Sequence, residues 1–312
     1  MNAPVHSASA PDFARPVVAA SQCLGFAPVR YNGLIIEDAF VQKLARFTDI
    51  VEVCPEVCIG LGVPRDPIRM QQSSNDVALV QFRTGRDITA DMHAFSRSFI
   101  ERTTGVDGFI LKSRSPSCGI AGVNVLDSNG GATGVTRPGM FAGAVLEGFP
   151  DFPIEDEMRL HNSDVRAHFL RRIFALAALR RAAAAGKRSD LVAFHTGYKY
   201  LLMAHDPRRM TRLGRMVADS EISVTAAFAD YAAELRSIIA TPPSQGGQKN
   251  ALSHMLGYVS HQLERGERAD LVALIDTDTA DAARVLHDAI VRHSNDYLSV
   301  QAYFQPFPPE LA

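Results

Sequence analysis

The chain lacks any run of about 18 uncharged apolar residues, so no segment has the length and composition of a membrane span. Residues 1–16 lack both a basic beginning and an apolar core, so they do not read as a signal peptide. A disordered lead-in is expected over residues 1–14. These absences favour the cytoplasm. Cysteine is scarce, with four in 312 residues: Cys23, Cys54, Cys58 and Cys118. A cytosolic chain of this size does not need disulfides, which leaves inert core thiols, metal ligands or reactive groups. An excess of one charge is lacking as well. The net charge of −2 points to no particular partner. Internal repeats and low-complexity tracts are absent. What is present is an apolar fraction of 46%, ordinary for a globular chain and ample for the two cores that the length suggests.

The near-neutral total hides an uneven distribution. Residues 159–216 hold 13 Lys and Arg against 3 Asp and Glu, while the segments on either side are acidic. A solvated helix face is the ordinary explanation. The alternative is a phosphate-binding patch, with Arg171, Arg172, Arg180, Arg181, Lys199, Arg208 and Arg209 as candidate contacts.

The first half alternates strand and helix signals. Strands are expected at 16–21, 49–54, 76–83, 108–113 and 122–127, the last followed by the turn-rich Ser128-Asn129-Gly130-Gly131. Helices are expected at 38–47, at 89–104 with Thr89 or Asp87 as cap, and at 137–147 opening at Pro138. This alternation predicts an α/β, Rossmann-like domain with a mainly parallel sheet over residues 15–155. Beyond residue 156 strand signals fade. Successive helical segments punctuated by Asp206-Pro207, Pro242-Pro243 and Gly246-Gly247 predict an all-α domain over 156–312.

Three thiols fall at the carboxyl ends of expected parallel strands. Cys23 follows the first strand, Cys54 closes the second, and Cys118 lies just beyond the run at 108–113. Ligands of open α/β sheets bind in the crevice outside those ends, so distant residues would converge on one rim. The loop Ser113 to Gly119 is built from Ser, Pro and Gly, which lets main-chain N–H groups turn inward toward a cluster's sulfurs. Zinc is the rival metal. Cys54 and Cys58 form one CxxxC pair, but a second close pair is missing. The ten histidines supply no metal-like pair, and His195 and His205 read as structural or RNA-contacting.

Three segments together carry a resemblance: Ser21-Gln22-Cys23-Leu24-Gly25 with Val29 to Gly33; Cys54-Pro55-Glu56-Val57 with Gly60 to Arg65; and Lys112 to Gly119, reading KSRSPSCG. They resemble the thiouracil desulfidase family over roughly residues 15–155. His195 to His205 and Asp296 to Pro308 resemble the helical domain fused to it in two-domain tRNA 4-thiouridine desulfidases. The resemblance implies a 4Fe-4S cluster held by Cys23, Cys54 and Cys118, with one iron not ligated by protein. It also implies Glu56 and Ser115 as catalytic residues. Cys58 departs from the family's motif, and as a fourth ligand it would close the free iron.

The implied reaction is a hydrolytic desulfuration without net redox change. The iron serves as Lewis acid, Glu56 activates water, and Ser115 hydrogen-bonds the ring or relays a proton. Arg30 and Lys112 either position the substrate or are surface-solvated. The basic helical half favours thiolated tRNA as partner, because phosphate neutralisation dominates RNA affinity, with Tyr198 and Tyr200 available for stacking. No membrane or DNA partner is expected. The alternatives are desulfuration of free thiouracil, and a non-catalytic iron–sulfur protein that binds RNA or senses redox state.

Overall fold

The structure, a computed structural model, describes residues 12–73 and 77–312. The lead-in expected over residues 1–14 lies outside the described residues as far as residue 11. The chain divides into two compact units, one over Arg15–Ala177 and the other over Ala178–Glu310.

The first unit runs β1 (Val17–Ser21), α1 (Ala39–Ala45), β2 (Asp49–Val53), α2 (Pro55–Cys58), β3 (Ile68–Gln72), β4 (Val77–Gln81), α3 (Thr89–Arg102), β5 (Gly108–Leu111), β6 (Val123–Leu126), β7 (Ala132–Arg137), α4 (Met140–Gly148) and β8 (Ile154–Asp156). Helix α5 (Ser163–Ala185) belongs to it through Ala177. A four-stranded parallel sheet has the order β2-β1-β5-β8. From β1 the chain steps to β2 on one side and later to β5 on the other, which makes the carboxyl end of β1 a topological switch point. The inner strands β1 and β5 are apolar almost throughout and lie buried, as strands covered on both faces must be. Phe109 packs on Phe149 with centroids 4.8 Å apart, and Phe99 meets Phe141 edge-on at 5.1 Å. The α/β architecture is the expected one.

Three details differ from expectation. The apolar run that ends at Gln81 forms β4 in a second, mixed sheet of order β4-β3-β6-β7. Its antiparallel partner β3 buries only Met70 and otherwise carries polar or half-exposed side chains, so it gives no apolar signal. Thr89 does not cap α3. Its hydroxyl accepts from the Leu79 N–H instead, and Asp87 accepts from Thr89 N–H. Helix α4 opens at Met140, two residues beyond Pro138, because Arg137 is still paired in β7.

In the second unit α6 (Arg188–His205), α7 (Pro207–Ala218), α8 (Val224–Ile238), α9 (Gln245–Val259), α10 (Arg265–Thr277), α11 (Thr279–Arg292) and α12 (Asp296–Ser299) follow in turn. It contains no strand among the described residues. Side-chain caps set the starts: Asp206 accepts from the Arg208 and Arg209 N–H groups, and Asp278 does the same for α11, each satisfying donors that a helix start leaves unpaired. Among the described residues no helix is long and apolar enough to cross a membrane.

Candidate functional site

The sheet order places β1 between β2 and β5, so the loops after these strands meet at one rim. Cys23, Cys54 and Cys118 leave those three strands and line a single cavity of about 300 Å³ together with Glu56, Arg65, Lys112 and Ser115. The turn after Cys23 depends on Gly25, whose φ is +88°; a Cβ there would also lie 1.8 Å from the Gln42 amide nitrogen. Cys54 is the residue before α2, whose first turn carries Glu56.

The loop that bears Ser115 and Cys118 is clamped by α4. Gly139 N–H donates to Gly119 O, Met140 N–H to Pro116 O, and Ala142 N–H to Ser117 O. A Cβ on Gly139 would sit 2.7 Å from both the Ser115 and Ser117 carbonyl oxygens, so only glycine lets the helix come this close. The Ser115 Oγ accepts from the Ser117 N–H at 3.2 Å and the Cys118 N–H at 3.1 Å. Its own proton finds no acceptor among the described residues, and Ser115 is therefore a donor toward the cavity it lines.

Glu56 is held from two sides. Arg65 Nε and Nη2 reach its Oε2 at 2.8 and 2.7 Å, and the Ser117 hydroxyl donates to Oε1 at 3.0 Å. Neither Arg65 nor Ser117 was singled out from the sequence. Arg65 closes the second motif and Ser117 lies inside KSRSPSCG, but nothing in their spacing says that they grip Glu56.

Lys112 is half-buried on the cavity rim and tied to its neighbours rather than held out for a substrate. Its ammonium donates to Glu157 Oε1 at 2.5 Å and to Ser113 O and Oγ at 3.0 and 2.9 Å, which uses all three protons. Glu157 also accepts from Ser113 N–H and Oγ. Arg30 lies over the Tyr31 ring, 5.7 Å from its centroid.

Burial pushes the Cys23 thiol up to about 11, with the charges of Cys54 and Glu56 adding and Lys112 opposing. Cys54 is raised, chiefly by burial, and Cys118 is raised well above an ordinary thiol by burial and then by Glu56. Three thiolates cannot share this cavity without a compensating cation. All four cysteines are free. Among the described residues no three His, Cys, Asp or Glu side chains converge tightly enough for a single metal ion. The three thiols line one cavity. That suits a polynuclear cluster, in which each thiolate ligates a different iron. Cys58 is exposed and does not line the cavity, so it is not placed to be a fourth ligand.

The basic stretch is partly spent on structure. Arg172 is 9% exposed and donates to Asp151 O at 2.7 Å; burial lowers its guanidinium to about 10. This corrects its reading as an RNA contact, because a guanidinium inside the fold cannot meet a phosphate. Arg181 pairs with Asp12, Arg209 and Arg212 share Glu234, and Lys199 lies over Tyr200. Arg171 and Arg180 are both engaged in the fold. On α7, however, Arg208, Arg212 and Arg215 are exposed at helical spacing, opposite buried Met210, Leu213 and Val217. Tyr200 is buried, which withdraws it as a stacking platform, and Tyr198 has one face on Phe194 at 4.2 Å. His195 contacts Tyr231 Oη at 3.0 Å and is structural.

Comparison with known proteins matches residues 18–157 to the 2-thiouracil desulfurase family and residues 199–308 to a protein family of unknown function, DUF1722. YbgA of Escherichia coli K12, described as uncharacterized, is 31% identical over 149 residues, covering 44% of this chain and 86% of YbgA. YbbK of Bacillus subtilis 168, also described as uncharacterized, is 29% identical over 110 residues, 33% of this chain and 73% of YbbK. A solved structure of TudS, a [4Fe-4S]-dependent thiouracil desulfidase, is similar at 26% identity with a TM-score of 0.38, covering 49% of this chain and 97% of TudS.

Proposed function

Since the chain belongs to the family of YbgA and joins a 2-thiouracil desulfurase domain to a DUF1722 domain, we propose that it is an iron–sulfur-dependent desulfidase acting on 4-thiouridine in tRNA in the cytoplasm. The observation that carries this reading is the convergence of Cys23, Cys54, Cys118 and Glu56 on one cavity. The three thiols fit a 4Fe-4S cluster with one iron left without a protein ligand. When bound, such a cluster supplies a soft Lewis acid suited to a thiocarbonyl sulfur. Net, a thiocarbonyl and water give a carbonyl and hydrogen sulfide, with no electrons exchanged.

The chain's own residues supply the proton chemistry. Glu56 takes a proton from the water that attacks the ring carbon. Ser115, with both N–H bonds directed at its oxygen, donates a hydrogen bond to the pyrimidine ring and keeps its proton. The Arg65–Glu56 and Lys112–Glu157 pairs hold the rim in place, so the reacting groups need little reorganisation.

The tRNA substrate draws its support from α7. A free base needs no row of arginines, whereas a phosphate backbone is bound by one. The test compares sulfide release, without oxygen, from tRNA containing 4-thiouridine and from free thiouracil. Release from tRNA that weakens with salt, and whose salt slope falls by about one for each of Arg208 and Arg215 replaced by Glu, supports the reading. Conversion of free thiouracil alone would discard the tRNA substrate. Salt-dependent RNA binding without sulfide from either substrate would leave a non-catalytic iron–sulfur protein.

A further inference from the structure

Arg65 lines the cavity, yet its side chain is only 3% exposed. Its guanidinium is fixed independently of Glu56, donating to Gly62 O at 3.0 Å and Val29 O at 2.9 Å. The backbone is anchored as well, through Arg65 N–H to Tyr31 O at 2.8 Å. A guanidinium held in this way cannot swing, and its planar fork dictates where a carboxylate must lie. Both donors that meet Glu56 end on the same oxygen, Oε2. A carboxylate offers about four acceptor positions, two on each oxygen. Arg65 Nε donates to Oε2 with Nη2 only 2.7 Å from the same oxygen, and Ser117 takes one position on Oε1. Oε2 is thus enclosed by the guanidinium, and Oε1 keeps an acceptor position away from it.

Resting on the desulfidase reading, we propose that Arg65 is the positioning residue for Glu56: its guanidinium occupies Oε2, so that Oε1 accepts the proton of the attacking water. Arg65 touches neither water nor substrate in this role and acts through the carboxylate. Lysine keeps the charge but has no fork, and one compact ammonium cannot reach both carbonyls and Oε2 from the positions the guanidinium uses.

The experiment compares Arg65→Lys with the unsubstituted chain, both reconstituted without oxygen. Iron content, KM and kcat are measured on one thiolated substrate. The expected result is unchanged iron content and KM with a kcat lower by about 10²-fold, as for a reacting group displaced by an ångström. An unchanged kcat overturns the proposal. So does a kcat that falls only in step with iron content, which would assign Arg65 to the cysteine centre instead. A second arm needs no turnover: unfolding midpoints of Arg65→Lys, Glu56→Gln and the double variant. Non-additive shifts support the pairing, and additive shifts overturn it. An unsubstituted chain that releases no sulfide from any thiolated substrate removes the desulfidase reading and the role of Arg65 together, whereas an active chain indifferent to Arg65→Lys removes the inference alone.

Discussion

Replacing Glu56 with Gln keeps the shape of the side chain and removes its charge. The amide oxygen can still accept from Arg65 and the amide nitrogen can face Ser117, whose hydroxyl turns to accept. What is lost is the counter-charge of a guanidinium that is 3% exposed and bound otherwise to two carbonyls and, at 4.0 Å, the Cys54 thiol, none of them a counter-charge. Breaking a buried pair by removing one partner costs about 3–5 kcal/mol, while a hydrogen bond to a charged group contributes about 1.5–3 kcal/mol. Because one neutral acceptor survives, the loss falls where the two ranges meet, about 3 kcal/mol. For a domain of this size that lowers the unfolding midpoint of the α/β unit by about 5–10 °C. Removal of a general base lowers kcat by a further, separate factor of about 10²–10⁴. The assay pairs circular-dichroism melting of the metal-free chain with sulfide release by the reconstituted one. Full melting stability would refute the buried pair. Turnover within tenfold of the unsubstituted chain would refute Glu56 as the base.

Gly139→Ala forces a Cβ against the Ser115 and Ser117 carbonyls. Overpacking of this kind costs about 1–3 kcal/mol, and because it pushes α4 off the Cys118 loop it should also lower iron retention; normal iron content with normal melting would contradict the clamp. Glu234 in the helical unit is pulled down to about 2, first by its hydrogen bond from Arg209 and then by Arg212. A depressed carboxylate stabilises above its unfolded value of 4.5 and loses that stabilisation as pH falls through about 2. Arg212 is largely solvated, so screening leaves about 1–2 kcal/mol for Glu234→Gln near neutral pH; the difference should vanish toward pH 2, and a pH-independent difference would refute the pairing. Arg172→Glu buries an unpaired acid beside the Asp151 carbonyl. It should melt the first unit by about 3 kcal/mol or more, whereas a weakened RNA affinity with full stability would restore Arg172 as a surface contact.

The strand ends were legible because β1, β2 and β5 are β-branched or apolar runs, and the cysteines lie immediately beyond them. The register that sets β1 between β2 and β5 was not, since no residue in one strand names its neighbour. Strand β3 escaped because its side chains are mostly polar. At the site, position beyond the strand ends singled out Cys23, Cys54 and Cys118, whereas Glu56 and Ser115 were pointed to only by the family resemblance. The partners of Glu56 were hidden: Arg65 lies nine residues away across a turn, and Ser117 sixty-one residues away in another loop. Lys112 looked like a free cation because its acid, Glu157, follows the sheet's last strand. The basic stretch was visible as composition alone; only the fold separates buried Arg172 from the exposed row on α7.

The central claim is a cluster on Cys23, Cys54 and Cys118 that removes sulfur from a thiolated uracil. It is tested by reconstituting the chain with iron and sulfide without oxygen, then measuring bound iron and sulfide release from 4-thiouridine tRNA for the unsubstituted chain and for Cys23→Ala, Cys54→Ala, Cys58→Ala and Cys118→Ala. The account predicts about four irons per chain and full release in the unsubstituted chain and Cys58→Ala, with both lost in the other three. Retention of iron and release in any of those three, or their loss in Cys58→Ala, would contradict it.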